Sequence, residues 1–143
     1  MNLNDQLDTY YLQTCLDIAN RSTCLRTKIG CLLVKDGKVI ATGYNGAPDN
    51  VKPCVECDKA NSGYEHEQGN VFCRGVHAEM RCVLKSPLEG ATLYISKQPC
   101  YECTKILIQA KVERVVWASD WGNAKLSEGM RGESSTKFYK GGI

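Results

Sequence analysis

Two Cys-x-x-Cys pairs, Cys54-Val55-Glu56-Cys57 and Cys100-Tyr101-Glu102-Cys103, constrain this chain more than any other feature. Pairs at that spacing hold metal ions or cycle as redox couples, and either role obliges the chain to bring them to defined places. They belong to a set of nine cysteines, at 15, 24, 31, 54, 57, 73, 82, 100 and 103. The count is odd, and the polar opening Met1–Tyr11 has no basic segment leading into an apolar run. Both points argue against a secreted disulfide scaffold and for a soluble, cytoplasmic chain in a reducing compartment. Cys15, Cys31 and Cys82 sit among apolar neighbours and read as small buried hydrophobes.

The 143 residues suit a single domain, 1–143, able to bury a proper core. No apolar stretch reaches bilayer-spanning length, so no membrane partner is expected. The formal net charge of +2 gives no global electrostatic case for nucleic acid, while a few local Lys or Arg side chains would suffice for a small anion.

Apolar residues at Leu7, Tyr11, Cys15, Ile18 and Ala19 recur at helical spacing and predict an amphipathic helix over Leu3–Asn20. Lys28–Lys35 and Lys38–Tyr44 read as strands joined by Asp36-Gly37, a strong hairpin signal. From Asn45 to Arg74 the pattern dissolves into a long polar loop, an insertion at about 45–75 that needs something to pin it. Helices are expected at Val76–Lys85 and Cys100–Lys111, and strands at Ala91–Ser96 and Glu113–Ala118. In the tail, Asn123–Met130 suggests a short helix and Ser134–Lys140 has no clear pattern. This order predicts an α/β sheet with helices on its faces and a parallel β-α-β crossover near its end.

The chemistry concentrates in two half-motifs. His77-Ala78-Glu79 opens one helix, and Pro99-Cys100-Tyr101-Glu102-Cys103 lies where a strand passes into the next. One neutral imidazole and two thiolates suit Zn²⁺, and three protein ligands leave the fourth tetrahedral position for water, as in catalytic rather than structural zinc. His77 and Glu79 are two apart on a helix, so they cannot both ligate one ion beside it; Glu79 is better placed as an acid/base next to that water. Helix N-termini favour thiolates, and Pro99 suits a helix entry. A lone HAE or CxxC means little, but together they form the H-x-E…P-C-x-x-C pattern of zinc nucleobase deaminases.

Cys54, Cys57 and Cys73, with Cys24 before the first strand, would make a closed four-thiolate structural zinc site that ties down the long loop. Free surface thiols, or His66 in place of one cysteine, are the competing readings.

Thr23–Lys28 (TCLRTK), Gly43–Pro48 (GYNGAP), His77–Glu79, Ala91–Ser96 and Pro99–Cys103 together resemble the deoxycytidylate (dCMP) deaminase family of the cytidine deaminase-like superfamily. The resemblance spans roughly residues 10–120. It implies a three-layer α-β-α fold with a mixed, about five-stranded sheet, hydrolysis of dCMP to dUMP for dTTP synthesis, and a homo-oligomer, with a hexamer favoured. It also implies that Asn45 lies by the substrate sugar and that the backbone at Ala78 and around Ser96–Pro99 meets the base. Activation by dCTP and inhibition by dTTP, with Mg²⁺ accompanying the regulatory nucleotide, would involve Gly43, Tyr44, Asn45 and Gly46. Some members carry a structural zinc with ligands matching Cys24 and Cys54.

The chain also departs from the family. Arg81 stands where members more often have asparagine, and it reads as a surface charge or a phosphate contact. Lys97 is another cation beside the metal motif, and Tyr64 and Tyr101 are candidate stacking partners. The short tail after Asp120 diverges, which leaves dCTP open as a substrate beside dCMP. Two other functions compete: deamination of a base in tRNA or single-stranded nucleic acid, and a non-catalytic zinc module.

Overall fold

The computed structural model describes residues 3–63, 73–121 and 127–143. In chain order the elements are α1 (Leu3–Ala19), β1 (Gly30–Lys35), β2 (Lys38–Tyr44), α2 (Asp58–Asn61), α3 (Ala78–Lys85), β3 (Thr92–Lys97), α4 (Tyr101–Gln109), β4 (Arg114–Ser119), α5 (Glu128–Glu133) and β5 (Lys137–Lys140).

Alternation along the three central strands creates two cores. Cys31 and Leu33, Leu93 and Ile95, and Val115 and Trp117 enter one core, where Ala78 and Cys82 of α3 and Leu107 of α4 meet them. The intervening Leu32, Tyr94 and Val116 enter the other, closed by Leu12 and Cys15 of α1. A sheet buried on both faces between helices is a three-layer α-β-α arrangement. Cys15, Cys31 and Cys82 are fully buried, as their apolar neighbours predict.

The five strands lie in the order β2-β1-β3-β4-β5. β1 pairs antiparallel with both β2 and β3, whereas β3, β4 and β5 run parallel, so the sheet is mixed as expected. The β1–β2 turn is the predicted one: Asp36 and Gly37 both take positive φ, 52° and 76°, the two-residue geometry that matches strand twist.

Several expected boundaries shift, each for a local reason. β1 begins at Gly30 rather than Lys28, because the Ile29 N–H donates to the Asn45 side chain instead of a strand. α3 begins at Ala78 with His77 as its N-cap, and Val76 pairs with Gly46 as an isolated bridge. The predicted α1 stripe faces the core at Tyr11, Cys15, Ile18 and Ala19, but Leu7 is exposed and Leu12 is buried instead. The long loop contains the short α2, capped by Cys57. In the tail α5 is a helix and Lys137–Lys140 adds a parallel edge strand, which the sequence pattern did not reveal. Tyr64 and His66, and the start of the helix expected at Asn123, lie outside the described residues. No helix among the described residues is long and apolar enough to cross a membrane.

Candidate active site

The two half-motifs meet where α3 and α4 begin. His77 is the N-cap of α3, and its side chain makes no capping bond, which leaves the imidazole available to a ligand. Cys100 is the N-cap of α4, and its sulfur accepts from the Cys103 backbone N–H at 3.5 Å, the kind of bond that favours a thiolate. His77 Nδ1 lies 3.2 Å from Cys103 Sγ and 3.5 Å from Cys100 Sγ. Among the described residues these three are the only His/Cys/Asp/Glu group whose ligand atoms converge, all within 4.8 Å of one another. A tetrahedral zinc with ordinary bond lengths separates its nitrogen and sulfur ligands by about 3.6 Å. The observed spacing and the donor set therefore fit zinc.

The electrostatics divide the two sulfurs, one favoured as a thiolate and the other as a thiol. The Cys103 thiol beside it, with His77 and the Cys103 backbone N–H, holds Cys100 down at about 4 against the effect of burial. The same Cys100 contact, with burial and the nearby Glu79, pushes Cys103 well up. The hydrogen bond to Cys100 raises His77, opposed by burial. Glu79, 4% exposed, is raised mainly by burial, with the Cys100 charge adding to it. A buried carboxyl of raised pKa beside a metal triad is suited to exchanging protons.

These groups open into a cavity of about 740 Å³. Its wall includes Glu79, His77 and Cys100, the expected Asn45 and Gly46, and also Lys97 and Tyr101. Gly43, Tyr44, Ala78, Ser96 and Pro99 do not line it; their neighbours His77, Glu79, Lys97 and Gln98 do. Ser96 instead accepts a 3.1 Å bond from the Gly30 N–H inside the sheet. Asn45 reaches the wall with its side-chain amide already engaged. Its Oδ1 accepts from Ser22 Oγ at 2.6 Å and Ile29 N at 2.8 Å, and its Nδ2 donates to the Thr27 carbonyl at 2.7 Å.

Cys24, Cys54, Cys57 and Cys73 line the same cavity, but no three of these sulfurs converge as the His77 group does. Three of them accept backbone N–H groups: Cys24 from Arg26 at 3.5 Å, Cys57 from Ala60 at 3.4 Å and Cys73 from Gly75 at 3.4 Å.

Arg81 corrects an expectation. It is not a solvated surface charge, since its side chain is 11% exposed and bonded within the protein, and it does not line the cavity that holds Glu79. Trp121 was missed by sequence reasoning; its N–H donates at 3.4 Å to Oε1 of Gln98, a wall residue inside the expected Ser96–Pro99 stretch. Gln98 follows β3 and Trp121 follows β4, and the C-terminal ends of parallel strands, where such sheets open their sites, were the available signal.

A mixed sheet between helix layers, with an imidazole and two cysteine sulfurs at two helix N-termini and a carboxyl beside them, defines a metal-dependent hydrolase of the nucleobase-deaminase class. The chain belongs to the cytidine and deoxycytidylate deaminase family, whose zinc-binding region matches residues 5–119. It is 38% identical over 121 residues to the deoxycytidylate deaminase of Mycobacterium phage D29, covering 79% of this chain and 94% of that protein. It is 31% identical over 120 residues to the deoxycytidylate deaminase of Saccharomyces cerevisiae, covering 80% of this chain but 38% of the yeast protein. The fold is similar to the crystal structure of the cyanophage S-TIM5 dCMP deaminase in complex with dCMP and dUMP. That likeness has a TM-score of 0.75 and 25% identity, and it covers 98% of each chain.

Proposed function

We propose that this chain is a zinc-dependent dCMP deaminase, hydrolysing dCMP to dUMP and ammonia and so supplying the precursor of dTTP. The observation that carries this reading is the convergence of His77, Cys100 and Cys103 on one point, with buried Glu79 on the same cavity wall.

His77, Cys100 and Cys103 would hold the zinc. When bound, zinc lowers the pKa of a coordinated water to roughly 7 and so supplies a nucleophile at neutral pH. Glu79 takes a proton from the attacking water and delivers it to the ring nitrogen. It then transfers the second proton to the departing amine, so that one water is consumed and one ammonia leaves. Burial suits Glu79 to this cycle, because it raises the carboxyl above its ordinary range and so makes it a better proton acceptor that can still return the proton. Asn45, rigidly held, would offer its remaining amide N–H towards the sugar. The cavity volume is ample for a nucleotide, within the range of small-molecule sites.

The reading extends to a second, structural zinc at Cys24, Cys54, Cys57 and Cys73. Its support is the position of all four on the wall of one cavity, and Cys57, whose thiol the Ala60 N–H holds below its ordinary range. It extends also to dCTP and dTTP as effectors with Mg²⁺ near Gly43–Gly46, and to a hexamer. The support for regulation there is contact: a Cβ at Gly43 would lie 2.4 Å from the Ala78 carbonyl, so this strand abuts the helix that carries Glu79.

The test is to incubate the zinc-loaded chain with dCMP, dCTP, deoxycytidine and tRNA and follow ammonia release. Turnover of dCMP is expected, and turnover of dCTP as well would widen the substrate range. Release from tRNA alone, or none from any substrate, overturns the reading.

A further inference from the structure

Arg81 is almost wholly enclosed, although it lies two residues after Glu79 on α3. Its Nη1 donates to Asp49 Oδ1 at 3.0 Å, and its Nη2 donates to the Ala47 and Gly46 carbonyls at 2.7 and 3.2 Å. Its guanidinium also lies over the Tyr44 ring, 5.1 Å from the centroid. All of these partners belong to one segment, Tyr44–Asp49. Burying a guanidinium is costly unless its donors are used, and here most of them are spent on that single loop.

The same segment is tied to the site at two other points. Gly46 and Val76 exchange backbone bonds of 3.2 and 2.7 Å immediately before His77. Asn45, between Tyr44 and Gly46, holds Ser22, Thr27 and Ile29 through its amide, and Thr27 and Ile29 line the cavity. A continuous chain of contacts thus runs from α3 through the Tyr44–Asp49 loop to Thr27 and Ile29 on the cavity wall.

We propose that Arg81 is a positioning residue for nucleotide binding: from the helix that carries Glu79 it fixes the Tyr44–Asp49 loop and, through Asn45, the Ser22–Ile29 wall, so that the nucleotide meets a preformed pocket. This rests on the deaminase reading. A lysine cannot replace it, because one ammonium cannot bridge two carbonyls and a carboxylate while stacking on Tyr44. Asp49 matters less than the carbonyls, since its side chain is 85% exposed and water screens that ion pair.

The experiment compares Arg81→Lys, Arg81→Ala and Asp49→Asn with the unaltered zinc-loaded chain, measuring kcat and KM for dCMP, zinc content and Tm. Arg81→Ala should raise KM roughly tenfold or more, with kcat within about threefold and zinc unchanged. Added methylguanidinium should lower that KM again without affecting the unaltered chain. Arg81→Lys should show the same split, and it serves in place of Arg81→Ala if that variant fails to fold. Asp49→Asn should move KM by less than about twofold. An unchanged KM with a fallen Tm, or a fallen kcat at constant KM, overturns the proposal. An unaltered chain that releases no ammonia from dCMP defeats the deaminase reading instead. Calorimetric dCMP affinity in a Glu79→Gln background, weakened roughly tenfold by Arg81→Lys, then decides the role of Arg81 without turnover.

Discussion

His77 Nδ1 and Cys103 Sγ lie 3.2 Å apart although 26 positions separate them in the chain. β3 and the turn into α4 span that interval, so the contact exists only when α3 and α4 are both docked on the same face of the sheet. Metal binding and folding are therefore linked at this point. His77→Ala, Cys100→Ala and Cys103→Ala should each lose the catalytic zinc and lower dCMP turnover by about 100-fold or more. Elemental analysis beside an ammonia assay checks this; a variant with full metal content and full activity would remove that residue from the ligand set.

Glu79→Gln separates proton transfer from metal binding. The amide keeps the size of the side chain in a nearly closed pocket and cannot take a proton from water. Zinc content and Tm should stay near those of the unaltered chain, while kcat falls by about 10²- to 10⁴-fold. Substantial residual kcat would mean that another group moves the protons.

How much of this was legible beforehand differs from residue to residue. The half-motifs could be placed because each combines ligand chemistry with a helix start, and Asp36-Gly37 because both residues tolerate positive φ. The α1 stripe was misjudged at Leu7 because the helix has apolar residues on more than one side. Its rotation is set by partners remote in sequence, Leu12 against Tyr94 and Val116 and Asp8 against Arg114. Arg81 looked like a surface charge because nothing local says that the Gly46–Asp49 loop folds back over α3. Trp121 carries no spacing pattern, and only the parallel alignment of β3 and β4 brings it to the wall beside Gln98. Lys137–Lys140 is a short, lysine-flanked edge strand, the kind whose propensity is weakest and whose pairing depends on the finished sheet.

The four outer cysteines give a countable prediction. With a second zinc the purified chain carries two zinc ions, and Cys57→Ser or Cys73→Ser reduces this to one while His77, Cys100 and Cys103 keep theirs. Tm should fall in these variants, because the loop from Asn45 to Arg74 loses its tie. One zinc per unaltered chain would eliminate the site.

Asn45→Ala tests a side chain that does two tasks. Its removal leaves the Ile29 N–H and the Thr27 carbonyl without their partner, while the Ser22 hydroxyl keeps its bond to the backbone carbonyl of residue 45. Stranding such groups costs about 1–3 kcal/mol of stability, measurable by denaturant unfolding. KM for dCMP should rise at the same time, since the Thr27–Ile29 wall loosens. A fall in stability with KM unchanged would confine Asn45 to a structural part.

Asp8 offers the contrasting case, a polar cluster remote from the cavity that should affect stability alone. Its carboxylate accepts from the Tyr94 hydroxyl at 2.5 Å and from Arg114 Nη2 at 3.0 Å, pinning α1 to β3 and β4. Tyr94 is 3% exposed, so losing the acceptor leaves its hydroxyl poorly solvated. Asp8→Ala should therefore destabilise the fold by about 1–3 kcal/mol, whereas Tyr94→Phe, which deletes the stranded donor itself, should cost less, about 0.5–1.5 kcal/mol. Zinc content and KM should stay unchanged in both, because α1 packs on the face of the sheet opposite α3 and α4. Paired denaturant unfolding curves give the two costs. If Tyr94→Phe proves as damaging as Asp8→Ala, the stranded-hydroxyl account is wrong and the Tyr94–Asp8 hydrogen bond, not the ion pair with Arg114, carries the cost.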